Sequence, residues 1–331
     1  MTSGTHTFAR ERVAARDVLR VVLAVCALTG LLLTLVRVIP AAQRLPILPL
    51  LASFVPFGIL PWTVAAILAL VLRQRIVAVL AIAAVGLHIS WLAPYYLRNA
   101  PQNTAAAALK VASANILGGA TDLDRLSANT ADRDVVVLIE LDPGSEAYVD
   151  SIGWLDRYPY RIGRSDPDGA PGLKIYSRFP LTERANLDLQ LGGRAVRVDL
   201  PSGDQPTILA VHAINPLLGI SQWHTEGERI AEAAATYGDG PLVVLGDFNA
   251  TPDHLTIRTI RSRAHLTSAA DALGAGWLPT WPADSWLPPI LPLDQALVSS
   301  ALTPTAVHTI SAPGSDHLGI AVDLALTTQQ G

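Results

Sequence analysis

The 331-residue sequence holds one cysteine, one methionine and, among 24 basic residues, only two lysines, Lys110 and Lys174. Cys26 therefore has no partner for an intramolecular disulfide, and any domain placed in an oxidising compartment must be stable through its core alone. No Ser-His-Asp or Cys-His arrangement is visible, so covalent catalysis by an activated hydroxyl or thiol has no candidate. Charge is scarce as well. Charged residues make up 16% of the chain and hydrophobic ones 50%, with a mean hydropathy of +0.35, too apolar for an ordinary soluble enzyme.

The missing charge is concentrated at the front. Val21–Val36 is uninterrupted between Arg20 and Arg37, and Leu45–Leu72 runs 28 positions without a charge, although Pro46, Pro49, Pro56 and Pro61 must kink it or delay its start. Ile76–Leu97 is a third run and closes on Trp91, Tyr95 and Tyr96, in the manner of an interfacial aromatic belt. The first, with its flanks, approaches the ~20 residues that span a bilayer, and the other two exceed that length. A cleaved signal peptide would account for the first run, but two more follow without a convincing cleavage site. The expectation is an all-α, three-helix transmembrane domain over residues 1–98, a polar, Ala-rich tether over 99–108, and a folded domain over 109–327. Arg10, Arg12, Arg16 and Arg20 precede the first run, and Arg73 and Arg75 separate the second from the third, while Arg37 and Arg44 flank the other short loop. The positive-inside bias then places the N-terminus in the cytoplasm, and an odd number of crossings leaves the C-terminal domain outside.

Charge is divided unequally between the two parts. Residues 1–109 carry nine arginines and two acids, a balance of +7, whereas residues 110–331 carry 15 Lys and Arg against 26 Asp and Glu, a balance of −11. Gripping duplex DNA requires several cations to neutralise phosphates. The acidic domain is poorly suited to that task, so no specific nucleic-acid partner is expected; no protein partner is inferable. A small phosphate ester, or a lipid phosphate presented at the bilayer, fits better.

Within that domain, apolar β-type runs repeatedly end in a polar side chain. Leu242–Leu245 leads into Gly246-Asp247-Phe248-Asn249-Ala250-Thr251-Pro252, and Ser315-Asp316-His317-Leu318-Gly319 precedes Ile320–Leu326. Val135–Ile139 ends in Glu140, Ile208–Val211 in His212 with Asn215-Pro216 beyond, Val111–Ala114 in Asn115, and Asp294 opens Gln295–Val298. On an extended chain residues i and i+2 share a side, so Asp247 and Asn249 can converge on one metal ion or one water. The plainer reading of that pair is a strand followed by an Asx-type turn. Six polar strand ends argue for one shared site.

These residues, in this order and spacing, resemble the endonuclease/exonuclease/phosphatase (DNase I-like) superfamily over roughly residues 109–327. The Gly-Asp-Phe-Asn and Ser-Asp-His boxes are the specific elements. The resemblance implies an α/β fold, a four-layer α/β sandwich of two mainly antiparallel sheets with helices outside. It also implies a metal-dependent phosphoesterase using Mg2+, with Mn2+ as the other candidate. Glu140 and Asn115 are then the first choice to hold the metal, with Asp316 completing the site. Asp247 and Asn249 would orient and deprotonate the attacking water, His212 and His317 would serve the phosphoryl oxygens or the leaving group, and Asp294 would hold one imidazole in its productive tautomer. Asn215 and Arg194 are substrate-binding candidates, each with a structural alternative: a turn before Pro216 and a solvated strand edge. Family members often have His or Tyr after the Asp294 position, where this chain has Gln295.

The three-span architecture is similar to the VanJ-like teicoplanin-resistance group, which implies a polyprenyl diphosphate of the cell envelope as substrate and a link to antibiotic resistance. The alternatives are an extracellular nuclease or nucleotide phosphatase, and a binding or scaffold protein whose catalytic shell has decayed. The Pro- and Trp-rich connection Trp281–Pro292 runs into Asp294; its tryptophans either pack on the sandwich or meet the bilayer.

Overall fold

The computed structural model describes residues 3–98 and 108–327. Its contacts divide into two compact units, one up to Ala93 and one from Pro94 onward. The tether expected over 99–108 lies, except for its last residue, outside the described residues.

The first unit is helical. Val13–Val38, within the helix Ser3–Val38, is long and apolar enough to cross a membrane, and so is Arg75–Tyr96. The run between them is broken. Pro40–Arg44 and Val55–Gly58 form 3-10 turns, Leu48–Ala52 a short helix, and Ile59–Val71 the one longer helix, of 13 residues. Even counted from Val55, this element falls short of the ~20 residues of a spanning helix. The prolines are the cause, since each removes a backbone donor and clashes with the preceding turn. Among the described residues two helices are therefore of spanning length by themselves, and Val55–Val71 is a shorter apolar helix where the third crossing was expected. Packing among the helices is close. Trp62 Nε1 donates to Thr34 Oγ1 (2.9 Å), which lies 3.0 Å from His88 Nε2. Glycines permit these approaches: a Cβ on Gly30 would stand 2.8 Å from the Trp62 ring, and one on Gly58 would stand 2.3 Å from His88.

The second unit contains twelve strands: β1 Leu109–Asn115, β2 Val135–Ile139, β3 Tyr160–Arg164, β4 Leu173–Ser177, β5 Leu181–Asn186, β6 Gly193–Val198, β7 Thr207–His212, β8 Leu242–Asp247, β9 Thr267–Ser268, β10 Asp294–Val298, β11 Leu302–Ile310 and β12 Gly319–Leu326. They form two six-stranded sheets, ordered β11-β12-β1-β2-β4-β3 and β5-β6-β7-β8-β10-β9. Each sheet has one parallel pair, β1 with β2 and β7 with β8, flanked by antiparallel neighbours.

The near-continuous hydrophobicity of these strands follows from burial on both faces. In β2, Val135, Val137 and Ile139 enter the core between the sheets, while Val136 and Leu138 face Val149 and Trp154 of the helices Pro143–Ser151 and Trp154–Arg157. In β8, Val243 and Leu245 point inward, and Leu242 and Val244 meet Trp223, Ile230 and Ile257 of the helices Ile220–Tyr237 and Leu255–Arg263. The result is helix, sheet, sheet, helix: the expected α/β sandwich. Each such buried side chain stabilises the fold by about 1.5–3 kcal/mol. The two parallel pairs end together, and their last residues form the site.

Candidate active site

Strand register sets the first row. His212 and Asp247 are partners across β7 and β8, and Asp294 is the partner of Asp247 across β8 and β10. The opposite sheet supplies Asn115, the last residue of β1, and Glu140, which immediately follows β2. Asn115 Nδ2 donates to Glu140 Oε1 (2.9 Å) and reaches Asp247 Oδ2 (3.4 Å), so the two sheets are bridged at this point. His212 Nε2 stands 3.8 Å from both Glu140 Oε1 and Asp247 Oδ2. His317 Nδ1 lies 2.8 Å from Asp294 Oδ2, and its Nε2 is 3.7 Å from Asp247 Oδ2. Asn115, His212, Asp247, Asp294 and His317 are all buried.

The backbone is shaped for this convergence. Gly246 has φ +138°, and a Cβ there would lie 2.0 Å from the Val211 carbonyl oxygen, so no other residue fits before Asp247. Glu140 adopts φ +59°, a left-handed conformation that costs energy in a non-glycine residue and turns its carboxylate out of the β2 direction. Asn249 is also left-handed, at φ +47°, so the extended chain expected from Asp247 to Asn249 stops at Asp247. An Asx turn replaces it: Asp247 Oδ1 accepts from Asn249 N (2.8 Å), leaving Oδ2 for the site. Asn249 Nδ2 donates to the Ala213 carbonyl (2.9 Å) and ties this turn to the chain beyond His212.

Electrostatics separates the two histidines. Burial lowers the pKa of His212, so it is neutral near pH 7. Its Nδ1 lies 3.2 Å from the Ala170 carbonyl, an acceptor, which assigns the proton to Nδ1 and leaves Nε2 a lone pair. His212 is thus an acceptor at Nε2, and it becomes a donor there only when protonated. Burial alone would also lower His317, yet the carboxylates of Asp247 and Asp294, with Asp316 behind them, hold it up to about 10. His317 is therefore an imidazolium whose Nε2–H faces the site. Burial raises the pKa of Asp247 despite both histidines, and it raises that of Glu140 despite the hydrogen bond from Asn115.

Not every candidate joins the cluster. Asp316 adjoins it, its Oδ2 accepting from Trp281 Nε1 (3.3 Å). Asn215 Oδ1 accepts from Leu217 N (2.9 Å) in a turn of its own. The Arg194 guanidinium pairs with Glu183 and lines a polar cleft of about 260 Å³ together with Arg164, Asn186 and Gln190. That cleft includes Gly192, whose carbonyl accepts from His212 N (2.8 Å), so Arg194 borders the site from outside. Gln295 is buried, and its Nε2 donates to the Ala250 carbonyl (2.6 Å).

Two supporting residues, Thr280 and Glu226, escaped the sequence reading, and Ser315 of the Ser-Asp-His box had no role assigned there. Thr280 Oγ1 accepts from the backbone N–H groups of Leu293 and Asp294, both at 3.1 Å. Ser315 Oγ donates to the Asn115 carbonyl (2.8 Å) and accepts from His317 N (3.0 Å), joining the last box to β1. Glu226 is wholly buried and accepts from Ile214 N (2.8 Å) and Gln190 N (2.9 Å), fixing the chain after His212. A carboxylate amid the apolar positions of the helix Ile220–Tyr237 was the available signal for Glu226. Thr280 carried none, because its role is to hold backbone distant in sequence.

The match to the model of the Endonuclease/Exonuclease/phosphatase family covers residues 112–317, from β1 through His317. The chain belongs to this family. Members are hydrolases of phosphate esters, typically dependent on a divalent metal. Solved structures share the fold at low identity. The human Nocturnin catalytic domain with bound sulfate anion is 22% identical, with a TM-score of 0.51 over 71% of this chain and 99% of that one. An endonuclease/exonuclease/phosphatase from Beutenbergia cavernae DSM 12333 is 20% identical (TM-score 0.50; 66% and 71% covered). A functionally unknown conserved protein from Enterococcus faecalis V583 is 13% identical (0.51; 66% and 100%). No curated protein matches the sequence.

The residues present fit a divalent cation. Among the described residues, no Lys or Arg pairs with Glu140, Asp247, Asp294 or Asp316, and the buried Asp294 Oδ1 has no partner. Asp247, Asp294 and His317 offer donor atoms within 4.8 Å of one another. The proton held on His317 offsets one of these two carboxylate charges. The Glu140–Asn115 side has no such cation and is the better cradle.

Proposed function

We propose that this chain is a membrane-anchored, metal-dependent phosphoesterase that hydrolyses a lipid-linked phosphate or diphosphate, of polyprenyl type, outside the cytoplasm. The observation that carries the chemistry is the buried array around Asp247 Oδ2: an imidazolium (His317), a neutral imidazole (His212), an amide (Asn115) and carboxylates, with no serine or cysteine nucleophile among them. Such a set activates water rather than forming a covalent intermediate.

Glu140 and Asn115 would hold Mg2+ or Mn2+, with Asp316 beside them. When bound, the metal supplies positive charge that offsets charge developing on the phosphoryl oxygens. Asp247, its pKa raised by burial, accepts the proton of the attacking water through Oδ2. Asn249 holds that water through Oδ1, because its Nδ2 is committed to Ala213. His317 donates from Nε2 to a non-bridging oxygen, and Asp294 at 2.8 Å keeps both its protons in place. His212 Nε2, 3.8 Å from Asp247 Oδ2, takes over the proton that Asp247 collects from the water and delivers it to the leaving oxygen.

The lipid substrate is supported by the two helices of spanning length ahead of the domain and by the domain's balance of −11, which disfavours a polyanion. Extracytoplasmic placement further requires the element Val55–Val71 to complete a third crossing. The test is phosphate release by the full chain with and without Mg2+, on polyprenyl diphosphate, a nucleotide and DNA. Mg2+-dependent release from the lipid is expected, with loss in Asp247→Ala. Hydrolysis of DNA alone would overturn the substrate reading, and no hydrolysis of any of the three would overturn the enzyme itself.

A further inference from the structure

The loops that continue from the site carry apolar side chains that are exposed among the described residues. The chain beyond His212 turns at Asn215, whose Oδ1 accepts from Leu217 N, and presents Leu217 and Leu218, each 73% exposed. On the other side of β8, the connection into Asp294 is closed by mutual backbone hydrogen bonds between Trp281 and Leu291 (2.8 and 2.9 Å). Trp281 is in turn anchored to Asp316. The segment between projects, with Trp286 91% exposed and Leu287 40%. Single exposed apolar residues are ordinary; adjacent pairs on two loops, each continuous with a residue of the site, are not.

We infer that Leu217, Leu218, Trp286 and Leu287 form a docking rim that seats the mouth of the site on a lipid bilayer, so that a phosphate at the surface enters without leaving it. This deepens the lipid-phosphate reading above and rests on it for the substrate. Three features favour a bilayer as the occupant. Trp at a loop tip flanked by Leu suits the interface, where an aromatic ring with one polar group partitions well. The loop Ala213–Gly219 carries no charge, and the other carries only the exposed Asp284, which restricts it to shallow insertion. Finally, only residues 97–108 separate the apolar helix ending at Tyr96 from β1, and twelve residues reach at most about 40 Å. The domain is thus tethered within reach of any membrane that the helix crosses.

The test uses the full chain in phosphatidylcholine–phosphatidylglycerol vesicles. In a Cys26→Ser background, Trp286→Cys, Leu217→Cys and Ser202→Cys each carry a spin label. Ser202 is the control, exposed in the β6–β7 turn at the end of β7 opposite His212. Labels at 286 and 217 should collide more with oxygen than with an aqueous nickel reagent, and the label at 202 the reverse. All three labels equally aqueous would overturn docking. In parallel, Trp286→Ser/Leu217→Ser should lower the ratio of activity on vesicle-borne polyprenyl phosphate to activity on a soluble phosphate ester by about tenfold. An unchanged ratio would also count against the rim. A wild type inert on the lipid would sink the substrate reading alone, since the labels report docking without catalysis.

Discussion

Asp294 Oδ2 lies 2.8 Å from His317 Nδ1, and the pair is enclosed in protein beside Asp247. This contact, with the charge of Asp247, fixes His317 as a cation facing the site. Asp294 acts through the imidazole, and its effect is measurable apart from turnover.

Asp294→Asn removes one of the carboxylates that raise His317. The imidazole pKa should fall from about 10, and the alkaline limb of the rate profile should move down with it. The loss in kcat should be about 10²–10⁴-fold, as for other oriented imidazoles. Imidazole NMR titration in the variant checks the shift directly; an unmoved titration would remove Asp294 from this role.

Asp247 trades stability for function. Its pKa in the folded protein is raised by burial, so ionisation above its unfolded value opposes folding. Asp247→Asn keeps the acceptor for Asn249 N and removes the buried charge. In the presence of a chelator at pH 7, it should lower the His317 pKa from about 10, since Asp247 is the main charge holding that imidazolium, while activity falls to background. Imidazole NMR titration of the metal-free variant checks this, and an unmoved His317 would remove Asp247 from that role.

Acid should destabilise the second unit through groups far from the site. The hydrogen bond from Arg133, aided by Lys110, holds Asp132 at about 2. Burial alone would raise Glu146, but hydrogen bonds from Lys174 and Ser165 outweigh it and hold it below its ordinary value. Both groups have depressed pKa values in the folded state, so their contribution is present above the unfolded values near 4 and is lost as pH falls toward 2. Urea midpoints at pH 6 and pH 3 should differ accordingly. Lys174→Met, which leaves the half-buried Glu146 with only the Ser165 hydrogen bond, should cost about 1–2 kcal/mol at pH 7 and progressively less as Glu146 is protonated.

Gly246→Ala tests the strand end itself. A Cβ 2.0 Å from the Val211 carbonyl, at φ +138°, forces β7 and β8 apart where His212 and Asp247 are in register. The cost should be about 3 kcal/mol or more, read as a fall in the urea midpoint.

Glu140→Gln should leave the fold intact, since the hydrogen bond from Asn115 Nδ2 has an acceptor in either residue. The Mg2+ concentration for half-maximal activity should rise about 10–100-fold. An unchanged Mg2+ requirement would move the metal away from the Glu140–Asn115 side.

The strands were legible because each carries its own evidence. Val135–Ile139 and Leu242–Leu245 are apolar at every position, and in the structure alternate residues fill two different cores. The second apolar run was legible only as composition: Leu45–Leu72 is apolar throughout, while in the structure its prolines divide it into short elements, with Ile59–Val71 the longest helix among them. Hydropathy sums over a window, and helix continuity depends on every backbone donor within it.

What the sequence alone determined was an acidic α/β domain behind apolar helices, with polar residues at the strand ends. Which of those residues meet was decided by tertiary structure. Register across β7, β8 and β10 aligns His212, Asp247 and Asp294, and only the packing of two sheets brings Asn115 and Glu140 to them. Pairing of Asp294 with His317, and the division of the histidines into one neutral and one charged, depend on burial and on neighbours distant in sequence. Local patterning encodes an element's period and its ends. Charge states and contacts arise from long-range pairing and exclusion of water, which no stretch of sequence specifies by itself.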